Sequence, residues 1–222
     1  MADAVETTKR THVGEQRVIL RDVGWEGYEA LLAMVGDGHV RLAFDGTDVE
    51  LRGSSLDHEV DKTILNRLIG SVTFELDLNL IALGATTWRR KDRQRGLEAD
   101  ECYYLANFRR ISRKKQIDLT VDPPPDLAVD IEMTEPLLYR EGIYAALGFP
   151  EVWKFDGDQL LIQVLQTDGT YSTTEVSPSL PMITPKEVAH WVRQADGIDH
   201  TTWAKRFRSW IHEVLSPRYK AR

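Results

Sequence analysis

The stretch PDLAVDIEM, residues 125–133, decides the fold. Leu127, Val129, Ile131 and Met133 alternate with Asp126, Ala128, Asp130 and Glu132, the period of a β-strand, so one face is oily and the other carries three carboxylates. Upstream, LEADECYY (97–104) sets Glu98 and Asp100 two apart on one strand face, followed by Cys102 and Tyr104. Such acidic faces can simply point at water. If the two strands pair, however, up to five carboxylates crowd together, which is costly unless a cation neutralises them or some take up protons. Hard oxygen donors select Mg²⁺ or Mn²⁺ over Zn²⁺. A metal held this way suits phosphodiester hydrolysis, because it polarises phosphoryl oxygens, lowers the pKa of an attacking water and steadies the leaving oxygen.

Outward from these strands the chain alternates between sheet and helix. RVILRDV (17–23) reads as a strand, WEGYEALLAMVG (25–36) as a helix, and HVRLAFDGTDVELRG (39–53) as a hairpin turning at Asp45-Gly46. A long helix starts behind a Ser cap, with Leu56, Val60, Ile64, Leu68 and Val72 at near-helical intervals. NLIALGATTW (79–88) reads as a strand, 137–147 as a short helix stopped by Gly148, and 151–176 as three strands turning at Asp156-Gly157 and Asp168-Gly169. Two helices follow, and the recurrence of Trp191, Trp203, Phe207 and Trp210 on helical faces fits core or lid packing. The expected organisation is a frayed tail over 1–16, one domain over 17–182, and a helical extension over 183–222 packed on that domain.

Composition narrows the function classes. No apolar run approaches the roughly 20 residues that cross a bilayer, and the start is polar, so a cytoplasmic location is expected. Cys102 is the single cysteine, which excludes an intrachain disulfide and a Cys-based zinc cage and suits a buried thiol. The formal net charge of −7 opposes nucleic-acid binding, but positive charge is concentrated in WRRKDRQR (88–95) and FRRISRKK (108–115). Arg89, Arg90, Lys91, Arg93 and Arg95 directly precede the acidic strand, an order that would place phosphate-gripping charge beside the carboxylates; the plainer alternative is a solvated loop compensated by Asp92. Arg140 and Arg109 or Arg110 are the cationic candidates nearest in sequence.

Four ordered blocks carry a resemblance: LDHEVDKTILNRLI (56–69), LGATTWRRKDRQRGLEADECYY (83–104), PPPDLAVDIEMT (123–134) and IYAALGFPEVWKFDG (143–157). Together, over about residues 17–180, the chain resembles the Uma-two family of restriction-endonuclease-like proteins, placed in the PD-(D/E)XK nuclease superfamily. The resemblance implies an α/β fold, with a restriction-endonuclease-like mixed central β-sheet flanked by α-helices and the active site on central strands. By motif match Glu98 and Asp100 stand in the family's Glu-Pro-Asp, Asp126 in its Pro-Asp, Asp130 at the Glu that follows, Arg140 at the usual Lys, and His58 with Glu59 at a His-Glu pair. Thr87 also lies in a matching block, as a hydroxyl lining the site or simply a β-former.

The implied activity is a metal-dependent endonuclease acting on DNA, with Mg²⁺ or Mn²⁺ held mainly by Asp100 and Asp130, supported by Glu98 or Asp126. Glu132 and Glu59 would tune the site or hold water, and Arg140 would offset transition-state charge. A homodimer would supply the two sites that double-strand cutting needs. Three positions depart from the family pattern: Ala99 for Pro, Asp130 for Glu and Arg140 for Lys. The last matters most, because Arg stays protonated and cannot serve a Lys-dependent water activation. Arg140 and the acidic net charge support a second expectation, a degenerate member that keeps the fold and serves as a binding or assembly module.

Overall fold

In the computed structural model, which describes residues 14–36 and 38–221, the acidic strand at 97–104 is interrupted at Asp100. Its first half, β6 (Arg95–Ala99), joins β1 (Gln16–Leu20), β2 (Val40–Phe44), β3 (Val49–Gly53) and β5 (Thr86–Arg90) in a five-stranded antiparallel sheet ordered β1-β3-β2-β6-β5. Its second half, β7 (Glu101–Tyr104), joins β4 (Ile81–Ala82), β8 (Leu127–Ile131), β9 (Glu151–Phe155), β10 (Leu160–Leu165) and β11 (Tyr171–Thr174) in a six-stranded sheet ordered β11-β10-β9-β8-β7-β4. The expected mixed sheet flanked by helices is present, divided in two at this residue. Asp100 N donates to Val129 O at 3.2 Å, so the chain crosses between the sheets without leaving that amide unpaired.

In the second sheet only β8 and β9 run parallel, connected through α4 (Arg140–Leu147). A parallel pair wants cover on both faces, and β8 has it. Leu127, Val129 and Ile131 pack against α2 (Leu56–Glu75), α5 (Pro185–Arg193) and α6 (His200–Trp210). Ala128 lies in a second core with Cys102, Tyr104, Ile143 and Phe149. The buried face of α6 includes Trp203 and Phe207, which stack at 5.2 Å, so this stripe is core packing as expected. A π-helical turn (Ile211–Leu215) carries the chain on into α7 (Ser216–Lys220). In the first sheet α1 (Gly24–Val35) covers β2 and β3 through Trp25, Tyr28 and Phe44.

Several expectations shift. The strand expected over 79–88 is two, β4 and β5, parted at Gly84, whose φ of +60° breaks an extended run. The helix expected from 137 begins at Arg140, because Glu50 captures the backbone N–H groups of Leu137 and Leu138 and holds that segment outside the helix. Of the expected tail, residues 1–13 lie outside the described residues, but Glu15 is buried and hydrogen-bonded rather than frayed.

Asp126 sits just before β8 and not on its acidic face. It accepts from Leu105 N (2.7 Å), Asn107 N (2.9 Å) and Asn107 Nδ2 (2.6 Å), fixing the turn into α3 (Phe108–Ile111). It therefore works as a turn anchor and stands four residues, about 13 Å, along the strand from Asp130. Asp126→Ala leaves those donors unmet and should cost about 2 to 4 kcal/mol in urea unfolding; an unchanged midpoint would contradict the assignment.

Candidate active site

Asp100 and Asp130 do come together, where the two sheets meet, but their oxygens are already taken. Arg140, at the first turn of α4, grips Asp130 with two parallel bonds, Nε to Oδ2 and Nη2 to Oδ1, both 2.8 Å. Arg52, from β3 in the other sheet, donates Nη2 to Asp100 Oδ1 at 2.6 Å and Nη1 to Ile131 O at 2.8 Å, and lies 4.0 Å from Asp130 Oδ1. Asp100 Oδ2 accepts from Ile131 N at 2.8 Å.

His58 completes the set. The Ser55 side chain accepts from His58 N at the start of α2 and places the ring in the first turn. Its Nε2 is 3.0 Å from Asp100 Oδ1 and its Nδ1 is 2.6 Å from Glu15 Oε1. Both partners are carboxylates, so both ring nitrogens must donate and the ring is an imidazolium. Burial opposes that charge, but the bonds to Asp100 and Glu15 outweigh it and raise the pKa to about 9. Asp100 answers in the other direction: burial pushes its carboxyl up, yet the Arg52 charge and the His58 bond hold it far below the usual range.

The network ends at Arg17, which bonds Glu15 at 2.6 Å and also Glu50. Glu15, Glu50, Asp100 and Asp130 thus face Arg17, Arg52, Arg140 and protonated His58: four negative charges against four positive, every side chain at most 3% exposed. A divalent ion needs surplus negative charge facing it. This network, four charges against four, offers none. Among the described residues no three His, Cys, Asp or Glu side chains converge so as to hold a metal ion. The donor set, as arranged, does not fit Mg²⁺ or Mn²⁺.

The other expected site residues disperse. The Glu98 carboxylate turns to Arg41 at 2.7 Å, and only its backbone carbonyl faces Arg140 Nη2, at 3.4 Å. Glu59 is half-exposed on α2, paired with Lys62 at 2.8 Å, because its neighbour His58 takes the inward position. Glu132 stands at the rim: burial first, then the Asp130 charge, pushes its pKa up to about 7. Arg109 lies over Phe108 on α3, away from the pair. The basic run occupies the far end of the β5–β6 hairpin, where Arg90 pairs in register with Arg95, whereas Thr86 pairs with Ala99 at the site end. Arg95 is five residues, about 16 Å, along the strand from Asp100. The run therefore does not flank the carboxylates as expected, and Arg89, Arg90, Lys91 and Arg93 instead meet Glu29, Asp92 and Glu26.

The sequence reading missed Arg52, Glu50, Glu15 and Arg17. A signal was present: Glu15/Arg17, Glu50/Arg52 and Glu98/Asp100 are three charged i, i+2 pairs in or beside strand-like segments, a spacing that sets two charges on one strand face.

Because the folded pKa of His58 lies above its unfolded value of 6.5, the stability it contributes is present below pH 6.5 and lost as pH rises through 9. Urea midpoints should fall between pH 6.5 and 9, by a free energy on the order of 3 kcal/mol. A flat profile over that interval would show that the ring is neutral when folded.

The model of the Uma2 family, described as "Putative restriction endonuclease", matches residues 25–196. No curated protein matches the chain. Among solved structures, the crystal structure of a "putative nuclease belonging to DUF820" from Anabaena variabilis aligns over 68% of this chain and 90% of that one, at 15% identity and a TM-score of 0.49. With the family model covering most of its length, the chain belongs to the Uma2 family of restriction-endonuclease-like proteins.

Proposed function

We propose that this chain is a nuclease-family protein that binds nucleic acid with its acid pair closed by arginines, serving as a binding or assembly module rather than as a metal-dependent phosphodiesterase. One observation carries the reading: every carboxylate oxygen of Asp130 and Asp100 already accepts a hydrogen bond, from Arg140, Arg52, His58 or the Ile131 amide. Removing one partner of a buried pair costs about 3 to 5 kcal/mol, so a cation entering the site must overcome that much before it gains a ligand. Arg140 cannot give up its proton to make way, since burial opposes its charge but Asp130 holds its pKa well above the ordinary value.

Nucleic acid would be gripped away from the pair. A groove of about 610 Å³ between β5 and the segment at 114–119 is lined by Arg89, Lys114 and Lys115, bringing together the two basic runs that are separate in sequence. Arg90, Lys91, Arg93 and Arg95 extend the same edge. Affinity supplied by phosphate contacts falls steeply with salt.

A second reading, the metal-dependent endonuclease cutting DNA with Mg²⁺ or Mn²⁺ as a homodimer, is favoured by the family and by one geometric fact. Arg52 lies within 4.0 Å of both acids, so a single cation there reaches the two together.

Two assays separate the readings. In calorimetry Mg²⁺ and Mn²⁺ should give no saturable heat with the wild-type protein, and supercoiled plasmid should stay intact in either metal. Nicking by the wild type that disappears in Asp130→Ala would overturn the closed-pair reading and establish the endonuclease. Fluorescence anisotropy with a DNA duplex should show binding that weakens with salt and in an Arg89→Ala/Lys115→Ala variant; undiminished binding in that variant would remove the basic edge from the account.

A further inference from the structure

On the outer side of the Asp130–Arg140 pair lies a cleft that neither nucleic acid nor a metal would suit. Its deeper part, about 190 Å³, is lined by Glu132, Glu135, Glu141, Asp156, Lys154 and Gln163, with Pro136, Phe155 and Leu161 as apolar wall. A wider part of about 420 Å³ shares Glu132, Glu135, Glu141 and Lys154 and reaches Arg140. Acids outnumber cations here. Lys154 is bound to Glu141 at 2.9 Å, and Arg140 is spent on Asp130.

Two buried acceptors in this cleft make no hydrogen bond, Gln163 Oε1 and Glu132 Oε1. Gln163 is only 9% exposed, and its Nε2 already donates to Glu141 at 2.8 Å, which leaves the amide oxygen for a donor from outside. The cation nearest to Glu132 Oε1 is Arg140 Nε at 3.7 Å, a nitrogen already committed to Asp130. Buried acceptors left unmet are costly, and such groups in native structures call for an explanation.

The geometry points to this cleft as a binding site for an N–H-rich organic cation, an alkylammonium or guanidinium group donating to Gln163 Oε1 and the Glu132 carboxylate. Phosphate is disfavoured by the acid surplus. A divalent ion is disfavoured by the Lys154 ammonium inside the cavity and by the lack of any converging ligand set among the described residues. The apolar wall of Pro136, Phe155 and Leu161 gives an alkyl stem something to lie on, as the stems of Lys and Arg do elsewhere. Such a group has two sources, a basic side chain of a partner protein or a free polyamine. The site is separate from the basic edge but rests on the closed acid pair, because an Arg140 released from Asp130 would be free to answer Glu132.

The test is calorimetric titration of the full chain at low salt with Nα-acetyl-arginine amide, Nα-acetyl-lysine amide, spermidine and MgCl₂. At least one of the organic cations should bind, with affinity weakened about tenfold by Glu132→Gln and by Gln163→Leu, the size expected for one lost charge-assisted hydrogen bond. Binding by the amino-acid amides identifies a basic side chain as the occupant, and binding by spermidine alone identifies a polyamine. Circular dichroism checks that the variants fold, and the exposed Glu135→Gln provides a second probe of the same cleft. No binding by any of the three, or binding indifferent to all three substitutions, would overturn the proposal. So would saturable Mg²⁺ binding that Glu132→Gln abolishes.

Discussion

Arg52 reaches from one sheet to the other. Its guanidinium bonds the carboxylate of Asp100, where the shared strand breaks, and the carbonyl of Ile131 at the end of β8. A buried charge is tolerated only when it is paired and hydrogen-bonded, so this one contact obliges Asp100 to be ionised, which in turn holds His58 protonated and draws Glu15 inward. The same logic runs through Arg17 to Glu50, whose other oxygen fixes the backbone ahead of α4 and so delivers Arg140 to Asp130. Remove any member and its neighbours are left as uncompensated buried charges.

This dependence explains how a nuclease-family fold can persist around a site unsuited to a metal. Surplus carboxylate charge destabilises a protein unless a cation answers it. In this chain guanidinium groups take that part, and they come with the polypeptide. The sequence resemblance set Asp130 at an expected Glu and Arg140 at an expected Lys; in the structure the short acid and the long, planar cation close into a two-point grip. Two positions read as separate departures meet in space.

Much of the fold was legible. Alternation in 125–133, the Ser cap and periodicity of α2, and the Asp-Gly turns each report local backbone preference, and each is realised. The strand break at Asp100 was not legible, because it arises from contacts with β3, β8 and α2, far off in sequence. For the same reason the acids that share a face on paper part company: Glu98 belongs to one sheet, Asp130 to the other, and Asp126 to a turn. His58 was read as a lone histidine because its two partners lie more than forty residues away on either side. The resemblance pointed to Asp100, Asp130 and Arg140, which the fold brings together, but a motif states residue type and order, not which partners each side chain takes.

The closed pair is tested most directly by a double-mutant cycle on Asp130 and Arg140, with Asp130→Leu, Arg140→Met and the double variant compared in urea unfolding. A bidentate pair sealed in the core predicts single variants destabilised by about 3 to 5 kcal/mol each and a double variant much less damaged than their sum, because the second change removes the orphaned charge. Additive losses would show that the two side chains do not depend on each other, and that the acid is open to another cation.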